Sequence, residues 1–317
     1  MPNQHLRLFA GSSNTSLAQK VAKHLGIGLG KIEIRNFSDG EKYVKLLDNI
    51  RGEDVFLLQS TSKPVNENLM ELLIMIDAAK RASAGNITAV MPYFGYARQD
   101  RKASSREPIT AKLVADIITA AGANRIITFD LHSGQIQGFF NIPVDNLTAY
   151  GFLIKEIKKK NLSGSDSVVV AADAGAAKNS VKIAKALGWD LAIINKVRPM
   201  QNAASALNII GEVKGKNCAL FDDMIDTGGT IAAGAEALKK AGALDIFVLA
   251  THGVLSGEAI SKIEKSPIKE TIITNTIRDG ETKSGKIRVV DISDILAEAI
   301  KRVHKKESVS SLFDYQL

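Results

Sequence analysis

Short apolar runs alternate along the chain with longer segments in which apolar residues recur every three or four positions. After Pro64, Leu69, Leu72, Leu73 and Ile76 share one helical face, and residues 87–91 then form an apolar run of strand length. The same rhythm runs through the second half, where the apolar residues 218–221 precede a helical stripe of Ile231, Ala235 and Leu238. Repeated strand and helix units predict an α/β fold with mainly parallel sheets covered by helices. Ligands of such sheets bind at the carboxyl ends of the strands.

The pattern also repeats at longer range. Residues 121–132 resemble residues 241–252, each segment following a helical stripe, and residues 21–26 echo residues 183–188. The two offsets differ, so unequal insertions separate the copies. Two related domains follow from this repetition.

Composition narrows the class. At 317 residues the chain has room for about two domains, each with its own core. Hydrophobic residues at 45% and charged residues at 24% are globular values, and no apolar run approaches the roughly 20 residues that span a bilayer. The N-terminal residues lack the apolar core of a signal peptide, so the expected location is cytoplasmic, with no membrane partner. Cys218 is the single cysteine; within an apolar run it reads as a small buried residue rather than a catalytic thiol. The net charge of +7 suits an anionic partner. Lys and Arg are interleaved with Glu and Asp, and aromatics are sparse, which argues against nucleic acid and for phosphorylated small molecules.

Polar residues at the predicted strand ends carry the candidate chemistry. Asp222, Asp223 and Asp226 lie in a loop that continues through Thr227, Gly228, Gly229 and Thr230 to the next helix. Glycines let the backbone approach closely and first-turn N–H groups lack intrahelical partners, so a phosphate group fits there. The carboxylates would repel a bare phosphate, so they face hydroxyls or a bound cation; a sugar phosphate offers both, and a plain polar turn is the alternative. Asp173, after the apolar residues 168–170, either ligates a cation or caps a helix. His132, after residues 126–129, is either a metal ligand or a core histidine. Lys196 and Arg198 alternate just past the apolar residues 191–194 and suit neutralisation of a transferring phosphoryl group. The basic, serine-bearing residues 98–108 form a loop that either covers a polyphosphate or is simply solvated. Phe37, Asp39 and Glu41 pair an aromatic face with acceptors for an adenine amino group or ribose hydroxyls; an exposed turn is the other reading. The P-loop pattern is absent, and Gly26, Gly28 and Gly30 have the wrong spacing for a nucleotide motif and follow a helix-like segment, which reads as a helix end and turn.

Together these residues match a known pattern. The 222–230 stretch resembles the phosphoribosyl pyrophosphate loop of type I phosphoribosyltransferase-like folds. The chain as a whole resembles the ribose-phosphate pyrophosphokinase family at residues 37–41, 96–100, 130–132, 135–140, 173–175, Lys196 with Arg198, 222–230 and 308–310. The resemblance implies an α/β fold of two tandem phosphoribosyltransferase-like domains with mainly parallel sheets flanked by helices. They are expected at residues 1–148, with ATP and regulatory elements, and 149–317, with the ribose 5-phosphate loop. The tail after about residue 303 is expected to pack back on the first domain.

The implied reaction moves the diphosphoryl group of ATP to O1 of ribose 5-phosphate, giving 5-phosphoribosyl 1-pyrophosphate and AMP. By the same resemblance, Phe37, Asp39, Glu41, Arg98 and Gln99 contact ATP, while His132 and Asp173 ligate Mg²⁺. Asp222 and Asp223 meet the ribose hydroxyls or their metal, and Asp226, Thr227, Gly228, Gly229 and Thr230 hold the 5-phosphate. Lys196 and Arg198 are the catalytic pair, Arg198 also contacting ribose 5-phosphate. A homo-oligomer, a hexamer by this resemblance, and regulation by phosphate and ADP complete the expectation. Ala172, Ala176, Asn179 and Ser104 stand where the family commonly has Pro, Gly, Arg and a basic residue, and they bear on turnover and phosphate regulation. Two alternatives are a phosphoribosyltransferase and a catalytically silent regulatory homologue. The ATP-like motifs count against the first, and the retained cations and metal ligands against the second.

Overall fold

The computed structural model describes residues 5–173, 175–197, 206–278, 280, 282 and 284–313. They form two units, each with its own core. The first comprises residues 5–148, the short return at 276–278, and residues 291–313. It opens with β1 (Leu6–Ala10), α1 (Thr15–Leu25), β2 (Ile32–Asn36), β3 (Lys42–Leu46), β4 (Asp54–Leu58) and α2 (Val65–Arg81). It continues with β5 (Asn86–Met91), α3 (Thr110–Ala121), β6 (Arg125–Phe129) and β7 (Val144–Leu147). β1, β4, β5, β6 and β7 form one sheet in that order with every neighbour parallel. Strands of such a sheet are covered on both faces, which is why β4 and β5 are almost wholly apolar and buried. Leu72 and Ile76 enter the core from α2, as their spacing predicts. β2 and β3 pair antiparallel as a separate hairpin.

The second unit runs from residue 149 to 275 and takes in residues 284–290. Its elements are α4 (Tyr150–Lys158), β8 (Ser167–Ala171), α5 (Ala177–Leu187), β9 (Asp190–Val197), β10 (Ala206–Ile210) and β11 (Asn217–Ile225). α6 (Gly229–Lys240), β12 (Ile246–Gly253), α7 (Ala259–Lys265), β13 (Glu270–Thr274) and β14 (Ile287–Val290) follow. The sheet order is β10-β9-β8-β11-β12-β13-β14, and only the β9–β10 pair is antiparallel. Cys218 is fully buried in β11, where burial pushes its thiol up to about 12 and leaves it unreactive.

The repeated segments occupy equivalent places. Gly26 and Gly188 end α1 and α5 in the left-handed conformation, at φ 69° and 68°. Gly122 and Gly242 lie between a helix and the next strand of the sheet, α3 to β6 in one unit and α6 to β12 in the other. Two strands outrun the apolar runs that predict them. β9 extends to Val197 and so contains Lys196, with Lys196 opposite Leu207. β11 extends to Ile225, so Asp222 and Asp223 lie in a strand rather than in the expected loop. Pairing with β12, Asp222 opposite Ala250 and Met224 opposite His252, holds the backbone extended regardless of side-chain polarity.

The last helix, α8 (Ser293–Lys305), belongs to the first unit and packs on α1. Lys20 Nζ lies 3.0 Å from Asp291, and His304 Nδ1 lies 2.8 Å from Asp54 Oδ2 at the start of β4. Among the described residues, no helix is long and apolar enough to cross a membrane.

Candidate active site

In the second unit the chain runs from β8 outward through β9 to β10, then returns to β11 and proceeds the other way to β14. The reversal between β8 and β11 makes a crevice at their carboxyl ends, the place where open α/β sheets take ligands. β8 pairs with β11 as far as Ala171 opposite Phe221, whereas β11 continues to Ile225. Asp173 follows β8, Asp222 and Asp223 sit on the overhang of β11, and Asp226 to Thr230 lead into α6. Gly228 precedes α6 with φ 72°, and a Cβ there would lie 3.2 Å from Cα and O of Ala259, so both backbone angle and space demand glycine. The turn is pinned by the N–H groups of Leu255 and Ser256, which donate to the carbonyls of Ile225 and Asp226 at 2.9 Å each. No side chain caps α6, whose first residues are Gly229 and Thr230, so its N-terminus suits an anion.

Asp222 Oδ1 accepts the N–H of Asp223, and Asp223 Oδ1 accepts the N–H of Met224, each at 2.9 Å. Burial pushes the Asp222 carboxyl up to about 8, reinforced by the charge and side-chain hydrogen bond of Asp223 and, more weakly, by the charge of Asp173. Asp173 is itself exposed, and its Oδ1 accepts the N–H of Ala176, the residue just before α5, at 2.9 Å. Ala176 sits at φ −74° and ψ −15°, ordinary helical angles, so alanine in place of the family's glycine strains nothing in this turn. Among the described residues, no three His, Cys, Asp or Glu side chains gather as a ready-made metal cage. The donors present are hard oxygens, and a Mg²⁺ ion suits one or two carboxylates completed by water and substrate oxygens. Lys196 lies on β9, and Arg198 lies outside the described residues.

In the first unit, residues 37–41 are the exposed turn of the β2–β3 hairpin. Phe37 N–H donates to the Glu41 carbonyl at 2.8 Å, and Glu41 N–H donates to Asp39 Oδ1 at 3.1 Å. The Phe37 ring is 44% exposed, enough to stack on a planar ligand. The Arg35 guanidinium lies 4.9 Å from its centroid and 4.1 Å from that of Tyr43. Arg35 is absent from the sequence reading; the signal for it is its cross-strand position opposite Tyr43, which needs the hairpin register. Arg98 and Gln99 are exposed in the segment after β5, where Ala111 N–H donates to the Gln99 carbonyl at 3.1 Å. Farther along that loop, Glu107 accepts the N–H groups of Ala103 and Ser104 at 2.7 and 2.9 Å and the Ser104 hydroxyl at 2.7 Å. His132 follows β6 and is exposed, which excludes the core-histidine reading. It belongs to the first unit and Asp173 to the second.

Comparison with known proteins bears on these features. Residues 6–122 match the N-terminal domain of ribose phosphate pyrophosphokinase, and residues 195–314 match the phosphoribosyl synthetase-associated domain. A ribose-phosphate pyrophosphokinase of Caldanaerobacter subterraneus is 55% identical over 97% of this chain and 98% of its own. The chain belongs to the ribose-phosphate pyrophosphokinase family. Another ribose-phosphate pyrophosphokinase, from Thermotoga maritima, is 51% identical, covering 98% of this chain and 99% of its own. The crystal structure of phosphoribosylpyrophosphate synthetase from Mycobacterium smegmatis matches with a TM-score of 0.90 at 44% identity, over 96% of this chain and all of that one. The α/β architecture described above is that of phosphoribosylpyrophosphate synthetase.

The raised Asp222 carboxyl has a pH signature. An unfolded aspartate loses its proton at about 4, whereas the folded Asp222 keeps it to about 8. Its contribution to stability is therefore complete below about pH 4 and is lost as pH rises towards about 8. Asp222→Asn stays neutral throughout. The ligand-free variant should melt above the wild type at about pH 9 and close to it at about pH 4. Parallel melting temperatures across that range would refute the shift.

Proposed function

We propose that the acidic strand end and α6 N-terminus of the second unit hold ribose 5-phosphate, and that the exposed turn and basic loop of the first unit hold ATP. The chain is an enzyme, a ribose-phosphate diphosphokinase: it moves the diphosphoryl group of ATP to O1 of ribose 5-phosphate, giving 5-phosphoribosyl 1-pyrophosphate and AMP. One observation carries the site assignment. A helix N-terminus opened by Gly228 directly follows paired carboxylates at the point where the sheet reverses direction. Phosphate suits the first feature and sugar hydroxyls the second. On this reading residues 1–148 bind ATP and regulators, and residues 149–317 carry the sugar-phosphate loop.

In the reaction, the C1 hydroxyl of ribose 5-phosphate attacks the β-phosphorus of ATP. The bond from O1 to that phosphorus forms as the bond from the α,β-bridging oxygen breaks, AMP departs, and the hydroxyl proton passes to solvent. Thr227, Gly228, Gly229 and Thr230, with Asp226 beside them, hold the 5-phosphate. Asp222 and Asp223 accept from ribose hydroxyls and so aim O1. Lys196 and Arg198 neutralise charge on the transferring group, since positioning and electrostatics dominate phosphoryl transfer. Phe37 stacks on adenine, Asp39 and Glu41 accept from the nucleoside, and Arg98 and Gln99 meet ATP from the loop after β5. His132 and Asp173 would hold Mg²⁺, whose chemistry when bound is to neutralise phosphate oxygens. The reading includes a homo-oligomer, a hexamer by family resemblance, a cytoplasmic location, and regulation by phosphate and ADP.

Purified protein given Mg-ATP and ribose 5-phosphate should release AMP and 5-phosphoribosyl 1-pyrophosphate in equal amounts. No AMP above the blank, across divalent metals and phosphate concentrations, would sink the assignment. Lys196→Ala should lower kcat by about a hundredfold or more if the cation acts in the transition state, and an unchanged kcat would remove it from the mechanism. Light scattering with and without phosphate reads the assembly, and a monomer in both conditions would refute the oligomer.

A further inference from the structure

Glu71 lies on the core face of α2 with no exposed surface. A carboxylate removed from water needs hydrogen bonds and a counter-charge. Its Oε1 accepts the Ser12 N–H at 2.6 Å and the Gln59 side-chain amide at 2.9 Å. Its Oε2 accepts the Ser12 hydroxyl at 2.8 Å and Lys42 Nζ at 3.0 Å. Of these donors only Lys42 carries a charge. The Lys42 side chain is 16% exposed and that of Glu71 0%, so water and salt screen this pair far less than a surface one.

The position of Lys42 gives the bond a second consequence. Lys42 begins β3 directly after Glu41, and it pairs across the hairpin with Asn36, directly before Phe37. The ion pair therefore grips the hairpin at the mouth of the turn that bears Phe37, Asp39 and Glu41. β2 and β3 form a sheet of their own, and a two-stranded ribbon has little stability by itself. Ile32, Val44 and Leu46 pack on the core of the unit but are only partly buried. Beside that apolar packing, the shielded ion pair is a directed, charged hold of α2 on the hairpin.

We propose that Lys42, acting through Glu71, is a positioning residue for the nucleotide: it fixes the turn so that ATP meets preformed stacking and accepting groups. The proposal rests on the assignment of that turn to ATP. Preorganisation of this kind lowers the ordering cost of binding, so its loss weakens the ATP step alone.

The test compares wild type with Lys42→Met and Lys42→Arg by hydrogen exchange and by initial rates against each substrate. In Lys42→Met, amides of residues 37–46 should exchange about tenfold faster while those of the parallel sheet hold. KM for ATP should rise roughly five- to tenfold, with kcat and KM for ribose 5-phosphate within about twofold. Lys42→Arg, which keeps the charge, should restore both readouts. If the Met variant does not fold, Lys42→Gln removes the charge while retaining a donor. Unchanged hairpin exchange overturns the tether; an equal rise in both KM values, or a fall in kcat alone, overturns the positioning role. Phe37→Ala separates these failures from that of the underlying assignment. If it leaves KM for ATP unaltered, the turn does not meet ATP and the proposal falls with that reading. If it raises KM for ATP while Lys42→Met does not, the assignment survives and the tether's role is refuted.

Discussion

The chemistry of the second unit depends on a mismatch in strand length. β8 accompanies β11 only as far as Phe221, while β12 accompanies it to Ile225. One hydrogen-bonded neighbour is enough to keep Asp222 and Asp223 extended, and past Phe221 the strand has no β8 partner. The same ending of β8 puts Asp173 near enough for its charge to act on Asp222. Acids gathered where burial already disfavours charge hold the Asp222 proton to about 8, and a cation bound there favours the charged form instead. Binding there depends on what the fold forces together as well as on what the ligand adds.

Apolar periodicity and structure agree where packing alone sets an element. Leu72 and Ile76 face inward on α2, residues 87–91 lie within β5, and Cys218 is buried in β11. Gly26 ends α1 in the conformation that a helix-ending glycine adopts. Polarity misleads where backbone pairing sets the element, because a ladder continues through charged residues as readily as apolar ones. Lys196, Asp222 and Asp223 are strand residues for that reason. Burial, which separates a core histidine from an exposed one at His132, is a property of the folded chain and not of the local sequence.

The network around Glu71 is harder to see in the sequence, because its donors come from Ser12 past β1, Lys42 on β3 and Gln59 past β4. A helical Glu ordinarily faces water. A signal does exist: Asn68, Glu71, Leu72 and Met75 are all buried on one stripe of α2, so two polar residues interrupt a core face. Asn68 Nδ2 donates to the carbonyl of Ser62 at 2.9 Å. These two polar residues tie the helix to the ends of neighbouring strands, and side-chain register across the hairpin supplies the rest.

The placement of α8 bears on how the protein comes into being during synthesis. The first unit begins at the N-terminus, yet the helix that packs on α1 and brings His304 to Asp54 is made last. All strands of the second unit, through β14, leave the ribosome before α8 does. The unit translated first therefore finishes after the one translated second, reversing the usual N-terminal-first order of domain folding. Until then the α8-facing side of α1 is uncovered on the nascent chain, a surface for a chaperone to shield.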